Sequence, residues 1–317
     1  VTFSIVAHDT ATGHLGLAVQ SRAFAVGRVI HHIHPGVGAV ATQASVLAAH
    51  GERTLAAMVE GAAPAEALAA SLELDDERGL RQVIAIDARG SGAAHTGSQC
   101  IAAAGHHIGD GFVVAGNILT DDTVVPAMVE AAADTSHPSL TRRLLAVLTA
   151  AQAAGGDLRG RQSASMIVVG PDDTGDPLVD RMVDVRIDDH GDPIAELGRL
   201  VALAEAYHDL ERAEHLLLAG VEDGDEVGLE AAVDLHLATL PRLGDDPEFV
   251  VWTAVSLVAA GRADDAAALV ARLHHRLDAD RWRDFASRLA AAGMVDSDVE
   301  ATWWSGRIDY PGQDPLR

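Results

Sequence analysis

Apolar and polar positions fall into two regimes along this chain. Over roughly the first 200 residues, short apolar-rich runs bounded by turn formers exchange with segments of helical periodicity; beyond them the pattern is helical almost throughout. Thr2–His8 and His14–Gln20 are two such runs, joined by Asp9-Thr-Ala-Thr-Gly13, and they predict a β-hairpin. Val29–His34, ending at Pro35-Gly36, and Gly38–Gln43 predict two further strands. Apolar positions at helical spacing then run through Val59 to a stop at Gly61, and a second helix, Pro64–Leu72, follows directly. Strands return at Gln82–Ala88, Ala93–Thr96 and Gly111–Ile118, followed by helices over Thr123–Ala133 and Leu140–Ala154 that stop at Gly155-Gly156. Ser163–Val169 and Met182–Ile187 read as closing strands. This order predicts an α+β protein, a four-layer αββα sandwich in which two stacked sheets each carry a helix pair on the outer face.

The shift to continuous helix near Glu196–Glu205 predicts a boundary between a domain at 1–200 and a helical region at 201–317. Glu248–Ala260 and Ala263–His275, split by Gly261-Arg262, resemble a helix-turn-helix pair of the tetratricopeptide kind. One pair is too few for a free-standing repeat array, so a small helical appendage is expected. The tail from Trp303-Trp304 through Asp309-Tyr-Pro gathers aromatics in a chain that has 3% of them, and it reads as a docking strap.

Composition narrows the chemistry. The 48% hydrophobic content excludes a disordered protein, and 23 basic against 47 acidic residues, net −24, make nucleic-acid and anionic-membrane partners unexpected. The sequence has no lysine, which removes a lysine Schiff base, a lysine general base and a P-loop lysine. Cys100 is the sole cysteine, which excludes an internal disulfide, a thiolate zinc site and a redox pair and fits a reducing cytoplasm. With no signal-like start and no apolar run near the ~20 residues that span a bilayer, a cytoplasmic protein is expected.

Thr2 is the sharpest chemical candidate. If residue 1 is removed, that threonine carries a hydroxyl nucleophile and a free amine together, a complete nucleophile-plus-base unit. Valine before a small residue suggests a GTG start translated literally, and an initiator methionine is readily trimmed when threonine follows. An α-amine titrates near ~7.7 to 8.0, so it is partly neutral at physiological pH without tuning.

Several motifs carry a family resemblance: Thr-Phe-Ser-Ile-Val-Ala-x-Asp9, Ala-Thr-Gly-x-Leu-Gly-x-Ala-Val19, Phe-Ala-Val-Gly27, Gly-Val-Gly-Ala-Val-Ala-Thr-Gln-Ala44, His-Thr-Gly-Ser98, Ala-Gly-Asn117, Asp157-Leu-Arg-Gly-Arg-Gln-Ser163 and Arg186-Ile-Asp-Asp189. Over roughly residues 2 to 200 the chain resembles the domain-of-unknown-function 1028 family, placed among the N-terminal nucleophile hydrolases. The resemblance implies amide-bond hydrolysis by Thr2 after loss of residue 1; the resemblance brings no established substrate, and a small linear or cyclic amide is expected, with no cofactor and no metal. It also implies backbone amides near Thr42 and Gln43 as oxyanion donors, with the carboxamide N–H of Asn117 as a second candidate. Ser21 and Ser163 are candidates to orient the amine or substrate, and Arg22 to bind a substrate carboxylate. Gln20 stands where proteasome-type subunits have an acidic helper, and Arg28 near their lysine; both are departures. A homo-oligomer is expected by analogy.

Rival readings are set against this one. Asp9 is favoured as a turn residue over an amine-orienting one. His32 and His34 share a strand face in a two-ligand arrangement, but no third ligand is visible nearby, and His106-His107 reads as a surface loop pair. The acidic patches read as caps and turns. No Gly-x-Ser-x-Gly elbow supports a Ser-His-Asp hydrolase. The non-enzyme alternative is a binding or scaffold protein that recruits a partner through the helical region.

Overall fold

The apolar runs become two antiparallel sheets. A computed structural model describes residues 2–223, 225–243, 247–259 and 261–271, together with 284, 288 and 291. In chain order the first elements are β1 (Thr2–His8), β2 (Leu15–Ser21), α1 (Gly27–Ile30), β3 (His31–His34), β4 (Gly38–Ala44), α2 (Ala48–Val59) and α3 (Pro64–Glu73). They are followed by β5 (Arg81–Asp87), β6 (Gly92–Thr96), β7 (Gly105–Gly109), β8 (Phe112–Asn117), α4 (Val124–Ala133), α5 (Leu140–Ala153), β9 (Ser163–Val169), α6 (Pro177–Asp180), β10 (Arg181–Ile187) and α7 (Pro193–Asp223). One sheet has six strands in the order β10-β9-β2-β1-β8-β7, the other four in the order β3-β4-β5-β6, and every pairing is antiparallel. The fold is of the α+β class.

Both faces of β1 and β2 are buried, which is why their sequences run apolar without clean alternation. One set of side chains, including Val6, Leu17, Val19, Val113 and Ile167, packs between the sheets against Ala41, Ile84 and Ile86. The other set, including Phe3, Ile5, Ala18 and Met166, packs with Met128, Leu144 and Leu148 of α4 and α5. Gly16 permits that approach: a Cβ there would lie 2.6 Å from Leu144 Cδ1. On the second sheet, Val40, Val83 and Ala85 pack against Met58, Ala67 and Leu68 of α2 and α3.

The predicted hairpin turn is built by Asp9, whose carboxylate accepts from Ala11 N–H (3.1 Å) and Thr12 Oγ1 (2.8 Å). Although partial burial would raise its pKa, these bonds hold the carboxyl below its usual range. Asp9 follows the end of β1 remote from Thr2, so its role is the turn, as favoured from sequence.

Three local expectations are corrected. The strand expected from Val29 begins at His31, because Arg28 N–H and Val29 N–H close turns onto Ala25 and Val26 carbonyls and make α1. His106 and His107 lie not in a loop but in β7, an edge strand with no apolar alternation, which exists through its pairing with β8. Phe112 packs against Gly109, where a Cβ would meet the ring at 2.2 Å. His32 and His34 do not converge: the His32 ring packs over Gly51 of α2, whereas His34 Nδ1 is 2.9 Å from Pro35 O and its Nε2 3.6 Å from Asp173.

By its contacts the chain divides into Val1–Ala204 and Glu205–Arg317. The second unit contains α8 (Glu226–Leu243), α9 (Pro247–Ala259) and α10 (Ala263–Ala271). Gly261, at φ 75°, makes the turn between α9 and α10, and Tyr207 meets Phe249 edge-on at 4.9 Å. The remainder of the helix expected to His275, and the aromatic strap, lie outside the described residues. Among the described residues no helix is long and apolar enough to cross a membrane.

Candidate functional site

One end of the layer between the sheets changes from apolar to polar. Thr2 opens β1, the strand between β2 and β8, and stands opposite Ser21 on one side and Asn117 on the other. Cross-strand partners point the same way, so Thr2, Ser21 and Asn117 share the inter-sheet face, as does Ser163 opposite Ser21. From the other sheet come Gln43 and its cross-strand partner Gln82. All six are buried. The Thr2 hydroxyl donates to Ser21 Oγ at 3.2 Å, and the Ser4 hydroxyl donates across the sheets to Gln43 Oε1 at 2.7 Å.

Gln82, not singled out from sequence, is the centre of this cluster. Its Nε2 lies 3.1 Å from Gly105 O and 2.9 Å from Gly116 O, and also reaches Thr96 Oγ1. Main-chain carbonyls only accept, so they fix which end of the Gln82 amide is nitrogen. Its Oε1 must then accept, and it does so from Gln43 Nε2 at 2.7 Å and Asn117 Nδ2 at 2.9 Å. The Gln43 oxygen is satisfied by Ser4, while Asn117 Oδ1 is buried with no hydrogen-bond partner. Asn117, expected to offer an N–H to an oxyanion, gives one of its two amide hydrogens to Gln82 and keeps the other, while its Oδ1 is an unmet acceptor.

Main-chain directions follow from the ladders. His8 N–H donates to Gly111 O, so alternation along β1 turns the Thr2 nitrogen toward β8 and Asn117. Ser45 N–H donates to Leu80 O, so the Gln43 N–H faces β5 within the ladder, and that of Thr42 faces the other way. Of the two expected donors, Thr42 is therefore the one whose N–H is turned out of the β4–β5 ladder. Its side chain lies on the helix-facing side, with Oγ1 3.4 Å from Leu47 O.

The remaining candidates organise the rim. Ser163 Oγ donates to Ala23 O (2.5 Å) and accepts from Val26 N–H (3.1 Å), which commits it to holding the loop after β2. Arg22 is exposed; its N–H donates to Asp157 Oδ2 at 2.7 Å and its guanidinium to Gln162. Gln20, opposite Phe3, faces α4 and α5, away from Thr2, and neither of its amide atoms has a partner. The non-glycine residues with positive φ among those described are Ala25 in the loop after β2, Ala44 at the end of β4 and Ile118 just after β8. Such conformations cost of order 1 kcal/mol or more and concentrate at functional sites.

A second polar cluster lies on the opposite face of β5. His50 of α2 is bonded through Nδ1 to Ser71 Oγ (2.9 Å) and through Nε2 to Asp75 Oδ2 (2.8 Å), and Arg81 Nε meets the same carboxylate oxygen at 2.8 Å. This is a Ser-His-Asp set that sequence reading missed, since its members are spread over α2, α3 and the loop after α3. It is sealed: His50 is 0% exposed and Ser71 3%. The Arg81 and His50 hydrogen bonds hold the Asp75 carboxyl well below the usual range. No group of three or more His, Cys, Asp or Glu side chains able to hold a metal occurs among the described residues.

Comparison with known proteins agrees with the motif pattern. A crystal structure of protein SPO2555 from Silicibacter pomeroyi, itself matched to the DUF1028 family, is similar with 36% identity and a TM-score of 0.58, over 64% of this chain and 85% of that one. No curated protein matches the chain. The model of the family of unknown function DUF1028 matches residues 2–197, and the chain therefore belongs to that family.

Proposed function

We propose that this protein is an amidohydrolase of the N-terminal nucleophile kind, a four-layer αββα sandwich with a tetratricopeptide-like helical appendage, acting through Thr2 after removal of residue 1. The observation that carries the reading is the polar, incompletely bonded cluster of Thr2, Ser21, Gln43, Gln82 and Asn117 at one end of an otherwise apolar inter-sheet core. Burying such groups with an unpaired acceptor costs stability and contributes nothing to packing.

In the proposed reaction the Thr2 amine, directly or through a water, takes the hydroxyl proton as Oγ1 bonds to the amide carbon. Main-chain N–H groups, with Thr42 the first candidate, stabilise the oxyanion. The C–N bond then breaks as the amine returns the proton to the leaving nitrogen, and water hydrolyses the acyl ester by the same route. The rim suits a small linear or cyclic amide with an apolar part: Phe24, Ile101 and Leu158 are 69%, 64% and 61% exposed. Ile101 and Leu158 are tied to Ile118, next to Asn117, by main-chain hydrogen bonds. Arg22, exposed and bonded to Gln162, is the proposed partner of a substrate carboxylate. Ring-like or dimeric assembly is part of the proposal by analogy, and sedimentation reads it directly.

Intact-mass analysis of protein from its native host tests the reading first. A chain starting at Thr2, acylated at that residue by a β-lactone, is expected. A retained residue 1 leaves the amine blocked and moves the protein to the scaffold class.

A further inference from the structure

We infer that Asn117 acts as the hydrogen-bond acceptor for the Thr2 amine, and that Gln82 is the positioning residue that forces it into that role. This rests on the reading of Thr2 as the terminal residue. An asparagine can present either end of its amide, and a nitrogen facing Thr2 would serve an oxyanion whereas an oxygen serves an ammonium. Here the choice is made at a distance. The carbonyls of Gly105 and Gly116 can only accept, so Gln82 must direct Nε2 at them and Oε1 at Gln43 and Asn117. Asn117 answers with Nδ2, and its Oδ1, buried and without a partner, remains on the inter-sheet face it shares with Thr2. Ladder alternation turns the Thr2 nitrogen toward the same strand. One buried oxygen is thus held free on the strand that the Thr2 nitrogen faces, beside the main-chain carbonyl of the same Asn117, by a carboxamide that bonds only the other end of the Asn117 amide.

The electrostatic surroundings contain few competing groups. On the loops beside Thr2 stand Arg22, Asp157 and Arg159, with Asp157 already accepting from Arg22 N–H and Arg159 at 3.5 Å from it. Through Thr96, Gln82 also reaches His106, which burial and the neighbouring His95 and His107 push below the usual histidine range. His106 is therefore neutral where an α-amine titrates. Arg81 and Asp75 lie on the other face of β5 and neutralise each other.

The test uses the full chain released with Thr2 at its N-terminus and labelled with 13C-threonine, its Thr2 Cα shift followed by NMR from about pH 5 to about pH 10. Asn117→Asp replaces the acceptor by an isosteric carboxylate and is expected to raise the amine pKa by about one unit or more; Asn117→Leu removes the acceptor and is expected to lower it. Gln82→Met frees Asn117 to turn its amide and is expected to lower the pKa in the same direction as Asn117→Leu. Should Gln82→Met fail to fold, the Asn117 pair decides. An amine pKa that stays put in Asn117→Leu, or rises, overturns the inference, because Asn117 would then be presenting its N–H. The titration does not depend on turnover. Parallel β-lactone labelling of the unsubstituted chain reads the nucleophile separately, so failure of Thr2 as a nucleophile and failure of Asn117 as an acceptor give different results.

Discussion

Arg81 and Gln82 are neighbours in β5, point to opposite faces of one sheet, and each centres a buried polar cluster, yet the two clusters differ in kind. On the helix-facing side, Arg81, Asp75, His50 and Ser71 form an ionic set whose charges are matched and whose histidine is bonded at both nitrogens. Between the sheets, Gln82, Gln43, Asn117 and Ser4 carry no charge, and one acceptor is left over beside a hydroxyl. The first contains the residue types of a hydrolytic triad, with its histidine and serine buried; the second has a serine but no histidine or acid and adjoins Thr2. Residue type alone therefore favours the first cluster, and bonding state the second. What separates a fastening from a candidate site here is whether every polar atom is already satisfied.

The largest effect that would break this comparison is on activity. Thr2→Ala should abolish β-lactone acylation and amide turnover while leaving the melting temperature nearly unchanged, and Ser71→Ala should do the reverse. The latter is expected to leave acylation intact and to cost about 1 kcal/mol for the lost hydrogen bond to His50. Acylation lost in the Ser71 variant would make the sealed triad the working one.

Next in size is Arg81→Met, which strips the cation from a buried carboxylate. Thermal unfolding should show a larger fall in melting temperature than for Ser71→Ala, with Thr2 still acylated at low temperature. A melting temperature close to that of the parent would mean that the ion pair fastens nothing.

Acid should weaken the fold in two stages. Burial, with His32 and Arg186 nearby, pushes His31 down to about 3, and burial pushes His236 down to about 4. An unfolded histidine titrates near ~6.5 and so takes a proton that the folded protein refuses. Stability is therefore full above about pH 6.5 and declines as the pH falls toward the folded-state values, with Asp75, held low by Arg81 and His50, adding a further loss in stronger acid. Melting temperatures recorded across this range check the sign, and His31→Gln should flatten part of the first decline.

The smallest expected effect has the opposite sign. Gln20 is fully buried against the helix layer with neither amide atom paired. Gln20→Met keeps its volume and removes the unmet polar groups, so it should stabilise by about 1 kcal/mol in denaturant unfolding. Destabilisation would mean that the amide has a partner after all.

Much of the fold was legible because it is written in local periods. The β1–β2 turn with its Asp and Gly, the stop at Gly61 and the glycines after α5 all lie within a few residues of what they shape. Strand β7 was not legible, because Gly-His-His-Ile-Gly has no alternation and depends on β8 for its existence. At the site, Thr2, Ser21, Gln43 and Asn117 were found from motif and resemblance, but Gln82 carries no motif, and the direction of the Asn117 amide is set by two carbonyls outside its own strand. The Ser71-His50-Asp75 set lacks sequence spacing of any recognised kind.

By itself, then, the amino-acid order determined many of the element types and buried faces, since these depend on backbone preference and apolar period over short stretches. Only the tertiary structure decided which polar side chains meet, which are sealed and which end of each amide is exposed. Those outcomes depend on hydrogen bonds between residues 35 to 39 positions apart, such as Asn117 to Gln82 and Ser4 to Gln43, and such bonds exist only once both sheets have closed on one another.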